Sequence, residues 1–369
     1  MSEVQLKGLT DAVEACRVRV EVDPLNAEAL GELREAIRLE GLDSAALDSL
    51  AEAVGILDGV HSAESNPRPL RKPLSKAEHE GLVVHPREKQ ERRHKLASLL
   101  GRVLHLMQGN EAARTVTRVC ESGNDKSYPA LDSANKACAG FLGIPPPTVY
   151  VARGEEPLCT AMLDRSPFLC VHHDFLTESN RRLSDSELRF ALAHQLEHVK
   201  SGHTALLQIS PERLEALMLD QVPFLFRTPI QLASKAVGFS RANLAAKKIG
   251  DWLPDNSRTA KVFDTVGDLL PDKDQETILP EVVHDWVRAW IQAVEYSADR
   301  AGLLACGSPR SAVATMIALS PELSVEMKNA GTLRRMLSDS ERMDRSTADR
   351  IRELLRFAVS REYLGYVSA

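Results

Sequence analysis

The sequence predicts a mainly α-helical chain with one small β-sheet, an α+β protein, and three observations carry that expectation. Apolar residues recur at helical spacing over most of the 369 residues. The β-branched content of 148–152 marks a strand, with further extended pieces at 158–162 and 167–171. The two segments richest in chemistry, 194–198 and 295–299, place polar residues four apart inside apolar helical surroundings. With 43% hydrophobic residues, the chain can bury a full core.

The N-terminal third reads as helices over 6–20, 27–39 and 45–57. Between the first two stands Asp23-Pro24-Leu25-Asn26. An aspartate-proline that ends one helix and an asparagine that caps the next resemble the junction of tetratricopeptide repeats. An ordinary helical hairpin explains it equally well, because no period repeats. Residues 62–74 hold three prolines and little apolar content, the composition of a linker. A charged helical segment follows over 75–130, with a helix expected at 76–107. The mixed signs of Arg87-Glu88-Lys89-Gln90-Glu91-Arg92-Arg93 mark a solvated face. A helix is expected around 131–142, closed by Gly143-Ile144-Pro145-Pro146-Pro147, then a strand at 148–152 and extended pieces at 158–162 and 167–171. From 184 onward the pattern is helical, with loops near 211, 254–256, 271–274 and 307–309. The expected organisation is therefore 1–61 helical, 62–74 linker, 75–130 charged helical and 131–369 the domain that carries the chemistry.

A net charge of -6 without a basic stripe argues against nucleic acid as a partner. Cys16, Cys120, Cys138, Cys159, Cys170 and Cys306 form no CxxC pair, which fits free thiols in a reducing, cytoplasmic compartment. The first residues lack the apolar core of a signal peptide. No apolar run approaches the roughly 18 residues of a membrane span.

His194 and His198 lie about 40° apart on one helix face, so two imidazoles can converge on one ion. Ser184 or Asp185 starts that helix, with acidic residues in its first turn. A third ligand is expected from Glu295, which with Asp299 repeats the four-residue spacing on a helix whose face is otherwise apolar (Trp290, Val294, Ala298, Gly302). Buried carboxylates need a metal or a cation. Either Glu295 ligates while Asp299 orients a histidine from behind, or both pair with Arg288 or Arg300.

Residues 131–356 resemble the HtpX-like and CAAX-prenyl-endopeptidase family of zinc metallopeptidases, which are gluzincins. Thr148–Ala152 is similar to that family's first strand, and Cys159-Thr160-Ala161 to its edge segment, with cysteine for asparagine. Glu187-Leu188 through His203 resembles its HExxH helix, and Glu295-Tyr296-Ser297-Ala298-Asp299 its ExxAD helix. Asp349-Arg350-Ile351 resembles the end of its late HPPxxxRI element, with the histidine and prolines gone. The resemblance implies zinc held by His194, His198 and Glu295, with Asp299 behind them. It also implies a peptide or protein substrate bound as an added strand along Cys159, Thr160 and Ala161, with Arg350 beside it. It does not cover the N-terminal helices, which are expected to bind protein.

Gln195 stands where the family has its catalytic glutamate. A glutamine can hydrogen-bond water but cannot hold a proton, and losing a general base costs about 10²–10⁴-fold. Glu197 makes His194-Gln195-Leu196-Glu197-His198 nearly the mirror of HExxH, the order that an inverted class uses. Glu197 is therefore either a replacement base or a partner for a cation elsewhere. Two functions follow: a metalloendopeptidase weakened or silenced at its base, or a pseudopeptidase that binds peptide or protein in the same groove. Of the other candidates, His172 and His173 fall at a strand end where they could line the cleft. His203 reads as structural, and His284 as a surface or packing group. Cys159 has no histidine arrangement to make it a nucleophile.

Overall fold

The computed structural model describes residues 11–39, 48, 51–55, 70, 72–88, 111–123, 127–153, 159–163, 166–177, 182–207, 272–320 and 345–368. The chain divides into two compact units. The first comprises Met1–Val84, Asn110–Ser201 and Glu295–Ala369, and the second His85–Gly109 and Gly202–Val294. Every residue of the expected metal constellation belongs to the first. No helix among the described residues is long and apolar enough to cross a membrane.

In the first unit, α1 (Asp11–Val22) and α2 (Ala27–Leu39) form the expected hairpin. The Asn26 side chain accepts from the Ala29 N–H at 3.0 Å, and the Leu25 N–H donates to Asp23 at 3.3 Å. The side chain thus caps α2 and closes the turn where proline prevents continuation. Val13, Val20, Leu30 and Leu33 are buried in the same core as the site helices, and Arg356 donates to the Glu21 carbonyl at 3.1 Å. The N-terminal helices therefore pack within the unit that holds the site. The expected linker lies mostly outside the described residues, as do the expected loops at 211 and 254–256. Of the helix expected at 45–57, residues 48 and 51–55 are described and helical, with Ala53 and Val54 buried in that core.

The helix expected over 76–107 is far shorter where it is described. Ser75 and Glu78 form a reciprocal capping box on Lys76–Glu78, which passes into a π-turn at His79–Val83. At Val84 the backbone is extended (φ -63°, ψ 117°). Glu88, expected on a solvated face, is instead buried and paired with His203, and the charged run from 89 onward lies outside the described residues. A helix, α3 (Glu111–Val119), and a two-residue strand, β1 (Glu121–Ser122), complete that region. The strand has no sequence signal, because it exists only through pairing.

Next come α4 (Pro129–Leu142), β2 (Thr148–Ala152), β3 (Cys159–Leu163) and β4 (Pro167–His172). Pro129 begins α4 at a position needing no N–H donor, and Gly143 ends it at φ 71°, a left-handed geometry that glycine adopts without strain. The sheet order is β1-β2-β4-β3. β2 and β4 are parallel, and β3 is antiparallel to β4 with Ala161 opposite Leu169. All three strands expected from the sequence form, within one residue of the expected bounds. β4 is buried almost throughout, as a central strand covered on both faces must be.

Against this sheet and α4 lies α5 (Asp185–Lys200), capped by a reciprocal Ser184–Glu187 box. Phe190, Ala191, Leu192, Ala193 and Leu196 are all buried, so α5 is apolar nearly all round and runs through the core. The Lys200 ammonium donates to the Leu142 carbonyl at the end of α4 (2.7 Å), where a helix carries its negative pole. α6 (Asp272–Cys306), α7 (Pro309–Leu319), α8 (Arg345–Ala358) and α9 (Arg361–Ser368) follow. Helix α6 starts at 272, inside the expected loop at 271–274. Gly302 on α6 is a contact position: a Cβ there would sit 2.7 Å from Phe190 Cδ2 and 3.0 Å from the Phe190 carbonyl oxygen. Only a residue without a side chain lets α6 approach α5 this closely.

Candidate metal centre

His194 and His198 project from one face of α5, and Glu295 and Asp299 from one face of α6. The four-residue spacing does on each helix what a 3.6-residue period requires. His194, His198 and Glu295 each offer a ligand atom, all within 4.8 Å of one another. The two Nε2 atoms are 3.3 Å apart, and each stands 3.5 Å from an oxygen of Glu295. Both histidines are buried, and Glu295 is nearly so.

Behind these three stands a second layer. Asp299 accepts the His194 Nδ1–H at 3.0 Å. Arg350, from α8, donates through Nε and Nη2 to the two Asp299 oxygens (2.9 and 2.7 Å) and through Nη1 to Glu295 Oε2 at 2.9 Å. Burial alone would raise both carboxyls. Arg350 first, then the histidines, outweigh it and hold Asp299 below and Glu295 well below their usual ranges. An ionised Asp299 can only accept, so the His194 proton resides on Nδ1 and the Nε2 lone pair faces His198 and Glu295. Burial also pushes the His194 pKa down, favouring the neutral imidazole.

This donor set passes the chemical test for a metal. Two imidazole nitrogens and a carboxylate converge, and although Arg350 holds Glu295 Oε2, Oε1 still faces His198 Nε2 at 3.5 Å. A proton held between the two Nε2 atoms can satisfy the cluster, and a cation can replace that proton. His194, His198 and Glu295 are therefore a buried group able to hold a metal ion.

The alternative pairing of Glu295 and Asp299 with Arg288 or Arg300 is replaced by pairing with Arg350. Arg300 instead lies over the Phe357 ring, 4.4 Å from its centroid. Arg350, expected beside a substrate, has its guanidinium taken up by the two carboxylates. Glu197, the alternative base, is fully buried. Its Oε2 bonds His79 Nε2 at 2.8 Å, and its Oε1 accepts from Ser201 Oγ at 2.5 Å. Both oxygens are thus engaged away from the metal group. His79 lies 118 residues from Glu197 and carries no motif, so nothing in the sequence announced the pair.

Gln195 Oε1 accepts from the Ala161 N–H at 2.8 Å, joining α5 to β3. Thr160 Oγ1 lies 3.4 Å from the Ala161 carbonyl. Burial pushes the Cys159 thiol up to about 12, and its sulfur lies 4.0 Å from the Ala191 carbonyl, so it is no thiolate nucleophile near neutral pH. His172 is buried, accepts the Asp174 N–H on Nδ1 (3.2 Å) and meets Phe175 edge-on, which closes a turn. His173 meets Tyr128 edge-on. In the second unit, His203 pairs with Glu88 at 3.0 Å and meets Trp290 edge-on, as a structural group. The His284 side chain lies outside the described residues. Comparison with protein-family models, with curated proteins and with solved structures finds no match.

Proposed function

We propose that the chain is a zinc-binding protein of the HtpX-like, gluzincin type, whose peptide hydrolysis is weak or absent because Gln195 cannot hold a proton. The observation that carries this reading is the convergence of His194, His198 and Glu295 backed by Asp299 and Arg350. Two histidines, a carboxylate and a second carboxylate orienting one imidazole make the donor set of a zinc hydrolase. When bound, zinc supplies a Lewis acid for a carbonyl and lowers the pKa of water. The rest falls to the chain's own residues. Asp299 fixes the tautomer and ring of His194. Arg350 keeps Glu295 and Asp299 ionised and therefore available to accept or ligate. Gln195 accepts a hydrogen bond but moves no proton, a deficit of about 10²–10⁴-fold. The expected substrate is an extended peptide along β3, and a cytoplasmic, reducing setting suits the free thiols.

A second reading, a pseudopeptidase that binds peptide or protein without cutting it, is favoured by the engagement of Gln195 with Ala161 and of Glu197 with His79. The test is zinc content together with turnover of quenched casein peptides by wild type, Gln195→Glu and Glu197→Gln. One zinc per chain, with turnover rising at least about tenfold in Gln195→Glu, supports the zinc site lacking its base. Wild-type turnover abolished by Glu197→Gln makes Glu197 the base. A chain that binds no zinc overturns the metallopeptidase reading.

A further inference from the structure

β3 is an edge: among the described residues it pairs with β4 alone. In an antiparallel pair, alternate residues turn both N–H and C=O toward the neighbour or both away. Ala161 lies opposite Leu169, yet its N–H goes to Gln195 at 2.8 Å. Ala161 is therefore an outward residue, and Cys159 and Leu163 share its phase. Its N–H and C=O are the adjacent donor and acceptor that an extended backbone would use to add to this edge. The donor is already held by Gln195, and the Thr160 hydroxyl lies 3.4 Å from the acceptor.

We propose that Gln195 is a positioning residue that clamps the outward amide of the edge strand, so that an extended peptide adds to β3 only by displacing its carboxamide. The proposal rests on the peptide-binding reading above and assigns a task to the residue that reading leaves without one. Gln195 directly follows the ligand His194, so one turn of α5 carries both the metal group and the strand's anchor. A carboxamide suits the task because it accepts at any pH without bringing a buried charge to a site that already holds two carboxylates. The occupant is the main chain of an extended peptide, recognised by its carbonyl rather than by a particular side chain.

The first test is hydrogen exchange at the Ala161 amide, read by NMR on the zinc-treated full chain labelled with 15N-alanine. Wild type is expected to exchange about 3–10-fold more slowly than Gln195→Ala, the worth of one net hydrogen bond. Gln195→Asn, a methylene too short, should match the alanine variant. Gln195→Glu keeps the reach and the acceptor and should restore protection, which a general loss of packing would not allow. Equal exchange in wild type and Gln195→Ala overturns the clamp. In the second test, labelled tryptic casein peptides should bind Gln195→Ala about 3–10-fold more tightly than wild type in fluorescence anisotropy. Equal affinity, or no binding to either, overturns the displacement. Zinc content on the same samples separates the failures. A protected Ala161 in a chain that binds no zinc sinks the metal reading alone, whereas an unprotected Ala161 in a zinc-loaded chain sinks the clamp alone.

Discussion

On α5, His194 and His198 meet Glu295 on one side, while Glu197, one residue before His198, meets His79 on another. Both groups are buried, and both join imidazole to carboxylate. They differ in how completely their hydrogen bonds close. Each Glu197 oxygen has its own partner, His79 Nε2 at 2.8 Å and Ser201 Oγ at 2.5 Å, so the group is satisfied by protein alone. In the other group, Asp299 takes the Nδ1 proton of His194 and turns its Nε2 lone pair toward a second imidazole and a second carboxylate. The orienting carboxylate is what turns a histidine–carboxylate pair into a place for a cation. Without Asp299, His194 could put its proton on Nε2 and close the cluster as His79 and Glu197 close theirs.

The sharpest way to break this comparison is to remove a ligand from each group. His198→Ala is expected to take bound zinc from one per chain to none, while Glu197→Gln leaves it at one, as read by elemental analysis after gel filtration. Equal loss in both would erase the distinction. Next in size is Arg350→Ala, which leaves Glu295 and Asp299 buried without their cation. The metal-free protein should lose about 3–5 kcal/mol in denaturant titration, and zinc should recover much of it. No recovery would mean that the carboxylates serve packing rather than a metal.

Glu197→Gln should cost about 1–3 kcal/mol of stability whether or not zinc is present, because it mispairs a buried bond to His79. Gly302→Ala acts on the distance between the helices. Its methyl would meet the Phe190 ring and backbone, so a loss of about 1–3 kcal/mol and weaker zinc binding are expected together in thermal melts with and without metal. Stability loss with unchanged zinc affinity would detach the helix spacing from the site.

The smallest effect is in pH. Burial lowers the His194 pKa, and Arg350 outweighs burial to lower those of Asp299 and Glu295. The folded chain therefore binds fewer protons than the unfolded one in acid. Stability from these groups is present above their ordinary values and falls with pH below about 6.5, then further below about 4. Burial raises the Cys138 and Cys306 thiols from 9.0 to about 12, so their contribution is present below 9 and lost above it. A plateau between about 6.5 and 9, extended toward acid in His194→Ala, is the expected result of melts across pH.

Much of this was legible in the sequence because it is local. The four-residue spacings of His194 with His198 and of Glu295 with Asp299 need only a helical period, and the caps at Asn26 and Ser184 need only the next three residues. The strand at 148–152 announced itself by its β-branched content. The sequence by itself therefore determined which residues share a face. Only the tertiary structure decided what each face meets. Arg350 reaches Asp299 across 51 residues, Ala161 reaches Gln195 across 34, and His79 reaches Glu197 across 118. A helical period orients a side chain but carries no information about the distant segment packed against it. The partner, and with it the division between a group able to hold a metal ion, a helix–strand hydrogen bond and a closed histidine–carboxylate pair, is set by long-range packing.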